Sequence, residues 1–414
     1  NLPANQNYNC DLSFEVLELP ELNFQGQSDL FLTFNYFHDK NWGAGDASVE
    51  ISFDSGSSWQ DISGPLPDAY IWQFAAFDLS EYSDSSSVSI RFIWSDGGNW
   101  ASGFAIDDII INPLPDYAIN LVNISQQFTG GNFYNNSYSI VPLSQAQSSG
   151  GYNFSASILN LGSNSLDSAK LYANVLTEEF NVLSNGYNTI SFGTDTLFAN
   201  DNFIPSNIGT YNVDIHAADE NVNSDTLSLT FEVSAFEYAR DDAGTTSNYT
   251  GGSYINNLGS TQRGNVFEIY NDAILYSIKV RVHPATSANC VAKAIISNVI
   301  TTNTPNFDYT YLTESSSINI GDYTDDWVNI MFETPIQLNA GDVIVAAIYS
   351  EYNGVDTLVI ANSGTVLPNV SVIQDYDGVF GGNPGDWYYT NYAPMIRLNF
   401  DPDATGPNTN ISYN

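Results

Sequence analysis

Basic residues are scarce in this sequence, as are long apolar runs. Lysine and arginine together number 9 against 47 aspartates and glutamates, which gives a formal net charge of -38 at pH 7. Nucleic acids and anionic membrane surfaces are bound mainly through basic patches, so we expect neither as a partner. No apolar run reaches the roughly 18 residues that span a bilayer, so membrane insertion is not expected.

Cysteine and histidine are also rare. The two cysteines, Cys10 and Cys290, exclude a disulfide scaffold and a cysteine-based zinc site. They could form one bridge only if the first and last domains touch, and two free thiols are the simpler interpretation. His38, His216 and His283 are isolated, with neither a His-Glu-x-x-His nor a Gly-x-Ser-x-Gly motif. We therefore predict no catalytic residues in this chain.

Short alternating strands separated by polar, glycine-rich turns fill the sequence, which predicts an all-β chain of tandem β-sandwich domains. The sequence predicts two domain boundaries, one at Pro113-Leu-Pro-Asp116 and one between Ser234 and Asp242. They divide the chain into residues 1–112, 117–235 and 236–400, with a tail at 401–414 that has the composition of a linker.

The stretch Phe104-Ala-Ile-Asp-Asp-Ile-Ile-Ile-Asn112 carries two adjacent carboxylates within an apolar strand. Strict alternation would place Asp108 on one face with Phe104 and Ile106, and Asp107 on the other face with Ile109. At least one carboxylate is then expected beside apolar packing, where it must be neutralised or bind a cation.

Five motifs of the first domain occur in the order of a known family. They are Leu32-Thr-Phe-Asn-Tyr36, Val49-Glu-Ile-Ser-Phe-Asp-Ser-Gly-Ser-Ser-Trp59, Phe77-Asp-Leu-Ser-Glu-Tyr82, Ile90-Arg-Phe92 and Phe104-Ala-Ile-Asp-Asp-Ile109. The region resembles the meprin/A5/mu-type jelly roll, in the "choice-of-anchor" or cleaved-adhesin version of secreted Bacteroidetes proteins. The family has a further strand region before the segment at Leu17, where only 16 residues precede it here. The resemblance implies that the N-terminal part was removed or that another chain completes the sheet.

The other two regions resemble modules of the same kind of protein. Tyr152-Asn-Phe-Ser-Ala-Ser-Ile-Leu-Asn-Leu-Gly162 and Ile208-Gly-Thr-Tyr-Asn-Val-Asp-Ile-His216 are similar to immunoglobulin-like spacers. Gly264-Asn-Val-Phe-Glu-Ile-Tyr270 and Met395-Ile-Arg-Leu-Asn-Phe400 are similar to a second jelly roll. The resemblance implies cargo of the type nine secretion system, located outside the cell or on its outer surface, with a sorting domain cleaved after the tail.

Calcium is the cofactor that the resemblance implies, because a structural ion often lies beside the Ile-Asp-Asp-Ile strand of such jelly rolls. Asp107 is the first expected ligand, with Asp108 next, and Asp39 and Asp46 from a neighbouring turn. The alternative is that Asp107 pairs with Arg91 or caps a sheet edge. A second candidate site combines Asp375-Tyr-Asp-Gly378 with Asp241-Asp242.

Aromatic residues in or beside glycine- and asparagine-rich turns suggest a binding surface for an extracellular glycan or protein. The candidates are Trp42, Trp100, Trp387 and Tyr388. The alternative is that these rings close the ends of the sandwiches. Four Asp-Ser/Thr-apolar triplets resemble the O-glycosylation acceptor of Bacteroidetes and predict sugar on Ser168, Thr196, Thr226 and Thr357.

Together these features predict a secreted or cell-surface, non-catalytic adhesin or binding protein. Two alternatives are an accessory C-terminal region of a larger exported hydrolase, such as a protease, and a structural subunit of an extracellular assembly. In the last case the first domain would associate with another chain through an unpaired sheet edge.

Overall fold

The structure is a computed structural model that describes residues 14–39, 45–97, 103–113, 115–129, 138–242, 249–301, 307–366 and 369–407. It confirms the predicted all-β fold of tandem sandwiches. No helix among these residues is long and apolar enough to cross a membrane.

The first sandwich has two sheets, ordered β1-β6-β3-β4 and β5-β2-β7. Its strands are β1 (Glu15–Glu18), β2 (Leu30–Asp39), β3 (Asp46–Ser52), β4 (Gln60–Asp61), β5 (Ala69–Asp78), β6 (Ser89–Ser95) and β7 (Gly103–Pro113). A short 3₁₀ helix, Ser80–Tyr82, follows β5. The turn after β3 contains Gly56 at φ 82°, a positive angle that glycine adopts without strain.

The two aspartates of β7 form a bulge, and this corrects the predicted alternation. Thr33 pairs with Ile110 and Asn35 with Asp107, so one residue of β2 lies opposite two residues of β7. Asp108 takes φ 53° and accepts a hydrogen bond from Asn35 Nδ2 at 2.9 Å. The extra residue changes which side chains face inwards.

Phe104 and Ile106 before the bulge, and Ile109 and Ile111 after it, all pack against the first core. Asp107 and Asp108 are both exposed. Neither carboxylate is therefore buried beside apolar packing, and the expected need for neutralisation does not arise. Arg91 pairs with Glu50 at 2.6 Å rather than with Asp107.

The second sandwich has sheets ordered β14-β10-β8 and β12-β11-β15-β16-β9, with β13 paired to β11. Its strands are β8 (Ile119–Phe128), β9 (Ile140–Pro142), β10 (Tyr152–Asn160), β11 (Leu166–Val175), β12 (Phe180–Leu183), β13 (Tyr187–Thr189), β14 (Thr194–Phe198), β15 (Gly209–Ala218) and β16 (Leu227–Ser234). Helix α1, Leu143–Ser148, follows β9 and has no counterpart in the sequence prediction.

The third sandwich consists of one large sheet and two smaller sheets. The large sheet is ordered β22-β21-β25-β19-β27-β28, with β23 paired to β21, and the smaller sheets are ordered β17-β30-β20-β24 and β18-β26-β29. Its strands are β17 (Glu237–Tyr238), β18 (Gly251–Tyr254), β19 (Thr261–Glu268), β20 (Ala273–Arg281), β21 (Val291–Thr301), β22 (Phe307–Glu314), β23 (Ile318–Asn319), β24 (Trp327–Leu338), β25 (Val343–Ser350), β26 (Val359–Thr365), β27 (Ser371–Asp375), β28 (Asp386–Thr390), β29 (Tyr392–Pro394) and β30 (Ile396–Asn399). A 3₁₀ helix, Ile320–Tyr323, lies between β23 and β24.

The second and third sandwiches are joined by packing as well as by the chain, because one hydrophobic cluster contains core residues of both. Buried Gln145 of α1 spans the junction. Its Oε1 accepts hydrogen bonds from the N–H groups of Tyr270 (2.7 Å) and Asn271 (3.1 Å), and its Nε2 donates to the carbonyl of Asn271 (2.8 Å). The rings of Tyr138 and Tyr238 pack 4.4 Å apart beside it. The predicted boundary at 234–242 is thus a packed junction.

Candidate functional site

A cleft of about 780 Å³ lies at the junction of the second and third sandwiches. The end of β16 and the start of β15 line one side, and β20, β24 and β30 line the other. Charged and polar side chains dominate its lining. They are Glu232, Glu237, Lys279, Asn329, Arg397, Asn399 and Asp401, with Trp327 beside them.

A corner in the chain brings the two glutamates of the cleft together. Glu232 is on β16 and Glu237 on β17, and Ser234 Oγ donates a 2.6 Å hydrogen bond to the carbonyl of Glu237. The N–H of Phe400 bonds the carbonyl of Phe236 at 3.1 Å, which fastens the corner to the third sandwich. The negative charge of Glu237 is close enough to Glu232 to raise the pKa of Glu232.

Glu237 is held as a carboxylate by two cations. Lys279 Nζ donates to one of its oxygens, and Arg397 Nη1 donates to the other at 3.1 Å. Burial alone would raise the pKa of Glu237, but the ion pairs with Lys279 and Arg397 lower it below its ordinary value.

Glu232 has the opposite environment. Burial raises the pKa of Glu232, and the negative charge of Glu237 adds to this increase, against the opposing effect of Arg397 and Lys279. No ion pair joins Glu232 to a cation in the part of the chain that the structure describes. The cleft therefore contains one glutamate that forms ion pairs and one that forms none among the described residues.

Arg397 lies behind Glu237 and is nearly inaccessible to solvent. Its Nε and Nη2 donate to the two oxygens of buried Asp241, at 2.9 and 2.6 Å. Burial would lower the pKa of Arg397, but Asp241 and Glu237 raise it. The guanidinium carbon is 4.3 Å from the ring centroid of Trp327, and Lys279 Nζ is 5.3 Å from the same centroid.

Amide groups and the start of the tail complete the cleft. Asn329 Nδ2 donates to the carbonyl of Thr405 at 3.1 Å, and the N–H of Asp401 donates to Asn399 Oδ1 at 3.0 Å. Residues 401–407 thus contact the third sandwich, although their composition predicts a linker. The rest of the tail, 408–414, is outside the described residues.

The predicted calcium ligands do not converge. Asp39 pairs with Gly103 and Asn35 with Asp107, so Asp39 and Asp107 are separated by four residues along the sheet, about 13 Å. Asp46 begins the other sheet and is exposed. No group of three or more His, Cys, Asp or Glu side chains among the described residues could hold a metal. Calcium at Asp107 and Asp108 stays a prediction.

The second calcium candidate has other partners. Asp375 is buried and accepts hydrogen bonds from the N–H groups of Gly378 (2.8 Å) and Phe380 (2.9 Å). Burial would raise the pKa of Asp375, but these N–H groups lower it below its ordinary value. Asp241 is paired with Arg397, and Asp242 accepts a hydrogen bond from Ser363. These side chains organise turns and the interior of the third sandwich.

The described aromatic candidates pack against other rings of the protein. The rings of Trp387 and Tyr309 stack with centroids 4.1 Å apart, and Tyr388 meets Phe380 edge-on at 5.5 Å. This is the alternative in which the rings close the sandwich. Trp42 and Trp100 are outside the described residues.

The predicted glycosylation positions and the cysteines differ in their exposure to solvent. Ser168, Thr196 and Thr226 are exposed and Thr357 is half-buried, and glycosylation there stays a prediction. Cys290 is buried, with Sγ 3.6 Å from Ser350 Oγ, and Cys10 is outside the described residues.

The cleft was not predicted from the sequence. A signal was available, because basic residues are rare in this chain and two of them, Lys279 and Arg397, lie within apolar strands. Cations in such positions need carboxylate partners. The identity of these carboxylates depends on how two domains pack together. The periodicity of a sequence contains no information about that packing.

No protein-family model matches the chain, and no curated protein is significantly similar to it. Solved structures do match. The glycoside hydrolase domain of Endo-D from Streptococcus pneumoniae R6 is 14% identical (TM-score 0.22) over 54% of this chain and 32% of that chain. A β-glucuronidase from Bacteroides uniformis is 12% identical (TM-score 0.32), over 55% and 28%. The exo-chitosanase CsxA from Amycolatopsis orientalis is 13% identical (TM-score 0.30), over 66% and 29%. The chain spans less than a third of the length of each.

The leading function predicted from the sequence, an adhesin or other non-catalytic binding protein, is wrong against these findings. The structures named above are a glycoside hydrolase domain, a β-glucuronidase and an exo-chitosanase. The prediction relied on the family resemblance, on the lack of catalytic motifs and on aromatic residues in turns, and of the last group Trp387 and Tyr388 pack against the protein's own rings.

Proposed function

We propose that this chain has a carbohydrate-related function and that the cleft between the second and third sandwiches holds the saccharide. The observation that carries the proposal is the cleft itself. Its volume of about 780 Å³ lies in the range of pockets that enclose small molecules. Its position at a domain junction is also where such pockets are common.

The lining supplies the groups that a sugar requires. The carboxylates of Glu232 and Asp401 can accept hydrogen bonds from hydroxyl groups, and the amide of Asn329 can both donate and accept. Trp327 adds apolar surface. Because Lys279 and Arg397 are paired with carboxylates, their side chains keep a defined geometry.

The two sides of the cleft are held in fixed positions, which supports the proposal. Its two sides belong to different sandwiches, but Gln145 and the shared hydrophobic cluster hold these sandwiches together. A preorganised site loses little conformational entropy when a ligand binds.

Isothermal titration calorimetry against neutral, acidic and amine-bearing oligosaccharides tests the proposal. Thr210 is exposed and lines the cleft, so Thr210→Trp should fill the cleft and abolish binding. Thr230, exposed on the neighbouring strand outside the cleft, provides the control Thr230→Trp, which should leave binding unchanged.

Absence of binding by every oligosaccharide, or equal binding by wild type and Thr210→Trp, would contradict the proposal. Analysis of the same mixtures for new reducing ends tests the sequence prediction that the chain has no catalytic residues. Export, an outer-surface location and glycosylation enter the proposal as predictions from the sequence resemblance.

A further inference from the structure

The charges of the cleft do not balance. Glu232, Glu237, Asp241 and Asp401 lie in or directly behind its lining, and the cations there are Lys279 and Arg397. Four negative charges thus face two positive charges when all the groups are ionised. The cleft carries a net negative charge.

Both cations are already neutralised by close partners. Lys279 is paired with Glu237, and Arg397 is paired with Glu237 and Asp241. An incoming carboxylate or sulfate would have to displace these partners, one of them fully buried. An acidic sugar is therefore disfavoured.

The two remaining carboxylates have no cationic partner among the described residues. Glu232 lies at the corner between the sandwiches, and Asp401 begins the segment that follows β30. The Asp401 carboxylate accepts a hydrogen bond from the N–H of Asp403, at 2.9 Å. Both side chains line the same cleft, so a cationic group bound there would pair with carboxylates that form no ion pair among the described residues.

We infer that the cleft selects saccharides that carry a protonated amine, with Glu232 and Asp401 as the groups that bind it. This inference rests on the proposed carbohydrate function and specifies its substrate class. The partial burial of Glu232 supports it, because charge-assisted hydrogen bonds are stronger where water is partly excluded.

The test compares three oligosaccharides of equal length by calorimetry at a pH where the amine is protonated. One consists of glucosamine, one of N-acetylglucosamine and one of galacturonic acid. Glucosamine oligomers should bind at least tenfold more tightly than the N-acetylated ones, and galacturonate oligomers least. Glu232→Gln and Asp401→Asn should each weaken glucosamine binding about tenfold, the effect of losing one charge-assisted bond. They should weaken binding of the N-acetylated oligomer less, because the new amide still forms hydrogen bonds with hydroxyl groups.

A cationic oligomer will also be attracted to a protein of net charge -38. Asp225, exposed in the second sandwich away from the cleft, provides the control. Asp225→Asn should bind glucosamine oligomers as wild type does, and an equal loss in this variant would overturn the inference. Equal affinity for glucosamine and N-acetylglucosamine oligomers would also overturn it and leave the proposed function intact. Binding of none of the three contradicts the proposed function itself.

Discussion

Asp241 and Arg397 form a bidentate ion pair, with distances of 2.6 and 2.9 Å, in which the carboxylate is fully buried and the guanidinium almost so. The two residues are far apart in sequence and join the chain just after β17 to β30. The pair places Arg397 so that its remaining nitrogen meets Glu237 in the cleft.

Removing one partner of this buried pair should destabilise the protein strongly. Asp241→Ala leaves the guanidinium in the interior with part of its compensation gone, and we expect a loss of about 3–5 kcal/mol in the free energy of unfolding. Glu50→Ala breaks the more exposed pair with Arg91 and should cost about 1 kcal/mol or less. Urea denaturation of both variants measures the difference, and similar losses would contradict the prediction.

Gln145 should determine whether the second and third sandwiches unfold together. Gln145→Ala leaves two N–H groups and one carbonyl at Tyr270 and Asn271 without their partner, at a cost of about 1–3 kcal/mol. We expect scanning calorimetry to show the shared transition lowered or divided in two. Gln147→Ala, on the same helix, is the control: it loses only the 3.1 Å hydrogen bond from Nε2 to the carbonyl of Pro205, within the second sandwich, and should leave the transition shared.

Buried tyrosines should make the protein sensitive to alkali. Burial raises the pKa of Tyr138, Tyr152 and Tyr238 above the ordinary value of 10.0. In the unfolded chain these phenols ionise near pH 10, so the stability they contribute is complete below pH 10 and is lost as the pH rises towards their folded values. Absorbance of tyrosinate against pH should therefore show a late fraction that appears together with unfolding. Full ionisation near pH 10 with the fold intact would refute this.

The bulge at Asp108 should tolerate some residues better than others. Its φ of 53° suits glycine and asparagine and disfavours β-branched residues. We expect Asp108→Val to cost about 1–3 kcal/mol and Asp108→Asn to cost less. Thermal melting of the two variants distinguishes them. Equal melting temperatures would mean that the backbone strain is absent.

The predicted binding of calcium to the first sandwich can be tested by chelation. If an ion binds Asp107 and Asp108, a chelator should lower the melting temperature of wild type and should have no effect on Asp107→Ala. Asp46→Ala tests whether the exposed aspartate at the start of β3 contributes. An unchanged melt of wild type on chelation would exclude a structural ion.

The sequence predicts the class of fold and most strands of the first domain. Alternation and turns place strands at Leu30–Phe37 and Val88–Trp94, close to the observed Leu30–Asp39 and Ser89–Ser95. Helix α1 is missed because its six residues are too few for a helical period, although Pro142 before it and Gly150 after it are boundary signals.

The candidate site could not be predicted in the same way. Glu232 and Glu237 are ordinary acids among 47, and their roles arise only when Lys279 and Arg397 from later strands meet them at the domain junction. The predicted orientation of the aspartates in β7 is wrong for a local reason. Periodicity assumes a regular strand, and a single left-handed residue changes the side-chain phase.

The bulge makes β7 unequally sensitive to two kinds of sequence change. Replacing Asp107 or Asp108 keeps the number of residues between Ile106 and Ile109, so both isoleucines still reach the core. Deleting one of the two aspartates would leave a regular ladder in which Ile109 and Ile111 still face the core, whereas inserting a residue beside them would turn both isoleucines towards water. In evolution this strand can therefore change its charges, or lose one of the two aspartates, more easily than it can gain a residue.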